Sequence, residues 1–104
     1  MDEFKVDFDS MEWQSNRPGA RFKLHSSGER QLRLVEFTSS EVAPFWCDQG
    51  HIGLVLSGAL TIDVGGKPVS YKEGDGIFIP SGSFTAHRAT SITPGTRLVM
   101  VEDV

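Results

Sequence analysis

This chain has almost no cysteine: Cys47 is the single thiol among 104 residues. One cysteine cannot close an internal disulfide, so the fold has to be held by burial, which agrees with a reducing compartment and makes the cytoplasm the expected location. Long apolar runs are missing as well. None approaches the roughly 20 residues of a membrane-spanning helix, and the N-terminal stretch MDEFKVDFDS is acidic where a signal peptide is basic and then apolar. Clustered positive charge is also lacking. The formal net charge is −4, and the Lys and Arg residues stand singly from Lys5 to Arg97, so neither nucleic acid nor a membrane is an expected partner. There is no glycine-rich phosphate loop between a strand and a helix, no GxSxG elbow and no cysteine pair, which sets aside nucleotide and serine-hydrolase chemistry.

What the chain does have is short β-branched or aromatic runs separated by turn residues. ARFKLH (Ala20 to His25) alternates until SSGE turns it, and RQLRLVEFT (Arg30 to Thr38) follows. In that second run the apolar set changes phase between Leu34 and Val35, the mark of either a bulge or a strand covered on both faces. Further runs are HIGLVLS, ALTIDV, PVSY, GIFIP, FTAHRA and TRLVMV. Gly65 and Gly66 between two of them predict a two-residue hairpin, because glycines accept the positive φ angles of a type I′ turn. About eight such strands, with no room for crossover helices, predict an all-β antiparallel barrel or sandwich of the closed, jelly-roll type. Residues 19–104 read as the barrel, and residues 1–18, ending in NRPG, as an N-terminal arm or exchanged strand.

The stretch from Pro44 to Arg88 resembles the cupin family of small β-barrels. That family carries a second motif of the form GxxxxxPxGxxH, matched here by Gly74, DGIFI, Pro80, Ser81 and Gly82. The histidine place holds Thr85, and His87 follows two residues on. One strand period separates the two, so in an extended chain they share a face, and a longer turn would deliver His87 to the usual place. In the first motif, HxHxxxE followed by glycine, Gly58 holds the glycine place. Phe45, Cys47 and His51 then stand where the family has two histidines and a glutamate, so the resemblance implies a cupin-like double-stranded β-helix with a degenerate metal-binding motif. The resemblance implies that His51, Gly53 and Val55 face the barrel interior, with glycine leaving open volume beside His51.

Three readings of that interior are open. In the first, Cys47, His51 and His87 hold a divalent transition metal such as zinc, since thiolate and imidazole are good ligands for it and a three-ligand site keeps one position open. In the second, His51 and His87 act without metal as general acid and base, because histidine titrates near neutral pH; cupins that isomerise or epimerise sugars supply the analogy. In the third, Cys47 is a small buried hydrophobe and His51 a core histidine bonded to a carbonyl. The expected ligand-binding lining is Phe45, Trp46, Cys47, Gly53, Val55 and Thr85, with Phe45 or Trp46 stacking at the rim. Arg33 either reaches into the lumen to hold an anion or lies on a solvated face, and the solvated face is the simpler account. Arg88 and His25 read as surface residues.

The function this favours is recognition of a small molecule in the lumen, metal optional. The alternative is a small cupin enzyme, metal-dependent or a histidine-based isomerase or epimerase, acting on a sugar or organic acid. A homodimer is expected, because RQLRLVEFT and TRLVMV carry apolar side chains on both faces and a second copy would bury the outer set.

Overall fold

The computed structural model describes residues 4–43 and 45–103; Pro44, which opens the motif stretch, and the first three residues of the expected arm lie outside them. The described residues form nine strands: β1 (Gln14–Arg17), β2 (Ala20–Ser27), β3 (Arg30–Phe37), β4 (His51–Ser57), β5 (Ala59–Val64), β6 (Lys67–Lys72), β7 (Gly76–Ile79), β8 (His87–Ile92) and β9 (Arg97–Asp103). All strand pairs are antiparallel. A six-stranded sheet runs β1-β2-β3-β9-β4-β7, and a three-stranded sheet runs β6-β5-β8. Their inner faces close on one core, to which the larger sheet gives Val35, Phe37, Val55, Ile77, Ile79, Leu98 and Met100, and the smaller gives Leu60, Ile62 and Ile92. This is the all-β jelly-roll architecture expected from the run lengths.

The phase change in β3 has a plain cause. Its register against β2 and β9 is continuous through Leu34 and Val35, so there is no bulge. Instead Leu34, Val35, Glu36 and Phe37 are all buried, which means that both faces are covered. Val35 and Phe37 point into the core. On the outer face the chain's own N-terminal segment provides cover: the Lys23 ammonium donates to the Phe8 carbonyl at 2.6 Å, and the Trp13 ring lies under Arg21 (4.3 Å), Lys23 (4.6 Å) and Arg97 (5.6 Å). Glu36 sits between the guanidinium groups of Arg21 and Arg97. Part of the covering expected of a second copy is thus intramolecular.

Residues 14–17 are likewise part of the sheet, pairing with β2 of their own chain at Gln14↔Phe22 and Arg17↔Ala20. Residues 14–17 of the segment read as an arm or exchanged strand thus form the edge strand beside β2. It escapes pattern reading because QSNR is short and wholly polar.

Two motif glycines have geometric reasons. Gly58 links β4 to β5 with φ of +80°, and a Cβ there would stand 2.3 Å from the Thr96 hydroxyl oxygen. Gly74 has φ of +90° in the turn before β7, a left-handed conformation that glycine adopts without the Cβ clash.

Candidate functional site

The run FTAHRA is not one strand. Ser83–Thr85 forms a 3-10 turn and β8 begins only at His87, so the longer turn, rather than strand alternation from Thr85, sets the direction of His87. Thr85 serves that turn: its hydroxyl donates to the Pro80 carbonyl, and its own carbonyl accepts from His87 Nδ1 at 3.0 Å. A carbonyl oxygen has no proton to give, so Nδ1 must carry the hydrogen and Nε2 presents a lone pair. His87 Nε2 is buried with no hydrogen-bond partner among the described residues. Burial pushes the pKa of His87 below its ordinary value and the neighbouring His51 acts in the same sense, against the Thr85 carbonyl and Asp48. His87 is therefore a neutral imidazole at pH 7, with a free nitrogen.

Cys47 is set opposite His87 by an isolated bridge, in which Cys47 N–H donates to the His87 carbonyl at 2.9 Å and His87 N–H to the Cys47 carbonyl at 2.8 Å. His51, the first residue of β4, brings its ring edge-on to that of His87, with centroids 4.8 Å apart. One ligand atom from each of Cys47, His51 and His87 lies within 4.8 Å of the others. The set is half-buried at Cys47 and His51 and buried at His87.

Behind His51 stands a residue that pattern reading missed. Glu102 Oε2 is 2.8 Å from His51 Nδ1, a short contact lying off the N–H axis. The same carboxylate accepts from Arg33 Nε at 2.8 Å, from Arg33 Nη2 at 2.7 Å and from Gln31 at 3.0 Å. Burial by itself would raise the Glu102 pKa, but His51, Arg33 and Gln31 outweigh it and bring the pKa down to about 2. The carboxylate stays charged. The signal was present in the alternation of Leu98, Met100 and Glu102 along β9, which puts all three on one face. Arg33, for which a solvated face was the simpler expectation, points inward and is committed to Glu102.

A cavity of about 180 Å³ opens between the sheets, walled by Phe22, Val35, Phe37, Leu60, Ile62 and Met100 among others, with His51 and His87 in its lining. Several expected lining residues are elsewhere. Val55 is core, 1% exposed. Gly53 faces inward, but a Cβ there would meet the Val99 carbonyl at 2.2 Å and the Met100 side chain at 2.9 Å, so the missing side chain admits β9 rather than leaving a hollow. Phe45 is exposed and lines a neighbouring surface depression that shares Asn16 and Arg17 with the cavity. Trp46 is also exposed and carries the Arg88 guanidinium over its ring at 4.9 Å. Thr85 acts through its turn and does not face the cavity.

A two-layered antiparallel jelly roll with an inward Cys/His/His cluster at one side of an apolar lumen defines a cupin-type barrel. The Cupin domain family model matches residues 41–102, and the chain belongs to that family. Among solved structures it is similar to KdgF from Halomonas sp. (TM-score 0.76, 22% identity, covering 94% of this chain and 89% of that one). It is also similar to an RmlC-like cupin from Shewanella frigidimarina (TM-score 0.78, 16% identity, 97% and 90%). A third similar structure is the polyketide cyclase RemF from Streptomyces resistomycificus (TM-score 0.73, 18% identity, 95% and 78%). No curated protein matches the chain in sequence. At such identities the likeness concerns the fold, and the chemistry has to be argued from the residues of this chain.

Proposed function

We propose that this cupin binds a small molecule in its lumen beside a divalent first-row metal ion held by Cys47, His51 and His87. The observation that carries the reading is the convergence of one thiol and two imidazoles within 4.8 Å, with the buried His87 Nε2 lacking a hydrogen-bond partner among the described residues. The donor set fits the group: one sulfur and two nitrogens suit zinc or a similar borderline ion, and three protein ligands leave a position for an exogenous oxygen. A bound ion would supply Lewis-acid polarisation of that oxygen. The chain's own contributions are distinct. The Thr85 carbonyl holds the His87 tautomer, Glu102 orients His51 from behind, as carboxylates commonly do for metal-binding histidines, and the apolar wall keeps bulk water from the ligand.

Cobalt(II) titration of protein stripped by a chelator tests this. A thiolate-to-cobalt charge-transfer band at one equivalent is the expected result, lost in Cys47→Ser and displaced by zinc. Absence of that band in the folded wild-type protein refutes the metal reading.

A second reading rests on the neutral state of His87: a buried imidazole with a free Nε2 is a competent general base. Proton-transfer activity on a sugar or organic acid that survives chelation, is unchanged in Cys47→Ser and is lost in His87→Ala would favour it over the first.

For the quaternary state the reading is a homodimer through the outer face of β4, β7 and β9. There Ile52, exposed to 49%, faces both Phe78 (74%) and Val101 (38%) across the strands. Sedimentation of the wild type as a dimer and of Ile52→Glu as a monomer is the expected pair of results; a monomeric wild type refutes it.

A further inference from the structure

The charge of the cavity is one-sided. Among the described residues its charged lining is Arg17, Arg21 and Arg33, with no Asp or Glu. Two of these arginines are committed. The Arg33 guanidinium is bidentate on Glu102, and that of Arg21 is on Glu36 while stacked on Trp13. Arg17 is different. Among the described residues it makes no ion pair, and its guanidinium carbon lies 5.8 Å from the centroid of the Phe37 ring. Glu41, the one acid among the described residues lining the adjoining depression, is exposed and forms no ion pair with Arg17.

We infer that the lumen takes a small monocarboxylate, its carboxylate held by Arg17 at the β1 edge and its body lying against the apolar wall. This rests on the reading of the lumen as a binding pocket. The Phe37 ring restrains the guanidinium from below through a cation–π contact, leaving its donor fork available, and the planar fork matches a carboxylate. Away from the donor cluster one uncommitted cation matches one carboxylate. A second negative charge at that end would lie against a wall of Phe, Val, Leu, Ile and Met, at a desolvation cost that a single arginine does not offset. Size narrows the class further. A cavity of about 180 Å³ is large enough for several water molecules, room for a small organic acid and not for a polymer. The side of the ligand remote from Arg17 then reaches His51 and His87, which line the same cavity.

The test is calorimetric titration of the full chain with butanoate, hexanoate and benzoate, each beside its neutral amide, in wild type and Arg17→Gln. The expected result is that at least one acid binds, that it binds more tightly than its amide, and that Arg17→Gln weakens the acid tenfold or more while leaving the amide unchanged. Zinc affinity of Arg17→Gln should equal that of wild type, showing that the variant is folded with its donor cluster intact. Equal binding of acid and amide, no loss in Arg17→Gln, or no binding of any of the three acids would overturn the inference. Acid binding that depends on Arg17 in a protein that takes up no metal would uphold it while removing the metal reading.

Discussion

Cys47 and His87 face each other as a hydrogen-bonded pair outside any regular strand pairing, exchanging backbone bonds of 2.9 and 2.8 Å. Because the bridge is made by main chain, it sets the thiol beside the imidazole without using either side chain. Cys47→Ser should therefore keep the bridge and the melting temperature but lower zinc affinity about 100-fold or more, since a hydroxyl is a poor ligand for zinc at neutral pH. Competition against a chromophoric chelator measures the affinity, and thermal denaturation of the metal-free proteins checks the fold.

Glu102 Oε2 lies 2.8 Å from His51 Nδ1. Glu102→Gln should lower zinc affinity by about 10- to 100-fold, the usual range for removing a carboxylate behind a metal-binding histidine. The His51 ring signals in an NMR spectrum should shift more than those of His25, which is exposed on β2. An unchanged zinc affinity would remove Glu102 from the site.

Acid should destabilise the protein through the same residue. The Glu102 pKa is lowered from 4.5 to about 2 in the folded chain. Its contribution is fully present above the unfolded value and is lost as pH falls through the folded one. Screening by solvent at this partly enclosed carboxylate holds the loss below about 3 kcal/mol. Glu36, also lowered between Arg97 and Arg21, adds in the same direction. Urea midpoints taken from pH 6 downward should fall across this window, and Glu102→Gln should flatten the slope.

Gly53→Ala should destabilise the chain by about 2 kcal/mol or more, as overpacking against immobile groups does. The added Cβ would meet a backbone carbonyl, Val99 O, at 2.2 Å, and backbone in the middle of a sheet has nowhere to move. If Gly53 instead bordered open lumen, Gly53→Ala would be neutral in a denaturant titration and would reduce ligand binding alone.

Thr96 is fully buried. Its hydroxyl oxygen accepts the Ala59 N–H at 3.1 Å and its proton goes to the Thr93 carbonyl at 2.7 Å. Thr96→Val keeps the shape and strands the Ala59 N–H, so a loss of about 1–3 kcal/mol is expected by urea denaturation.

Much of the fold was legible along the chain because strand structure is a local matter. Alternation, β-branched residues and the Gly65-Gly66 turn placed most of the strands, and the spacing from Gly74 to Gly82 pointed to the family. Where the reading failed, a neighbour distant in sequence had intervened. β1 carries no apolar signal and exists because the free edge of β2 accepts it. Gly53 looked like a hollow until β9 was laid against it.

The sequence by itself determined that this is an antiparallel all-β barrel, since composition and period-two patterning act over a few neighbouring positions, while Cys47, His51 and His87 stood out only through the resemblance of their spacing to the cupin motifs. Tertiary structure alone decided that those three side chains meet, that Glu102 and Arg33 lock together behind His51, and that Arg17 pairs with no carboxylate among the described residues. Those outcomes depend on register between strands far apart in the chain, and a shift of one residue would have turned each of these side chains to the opposite face.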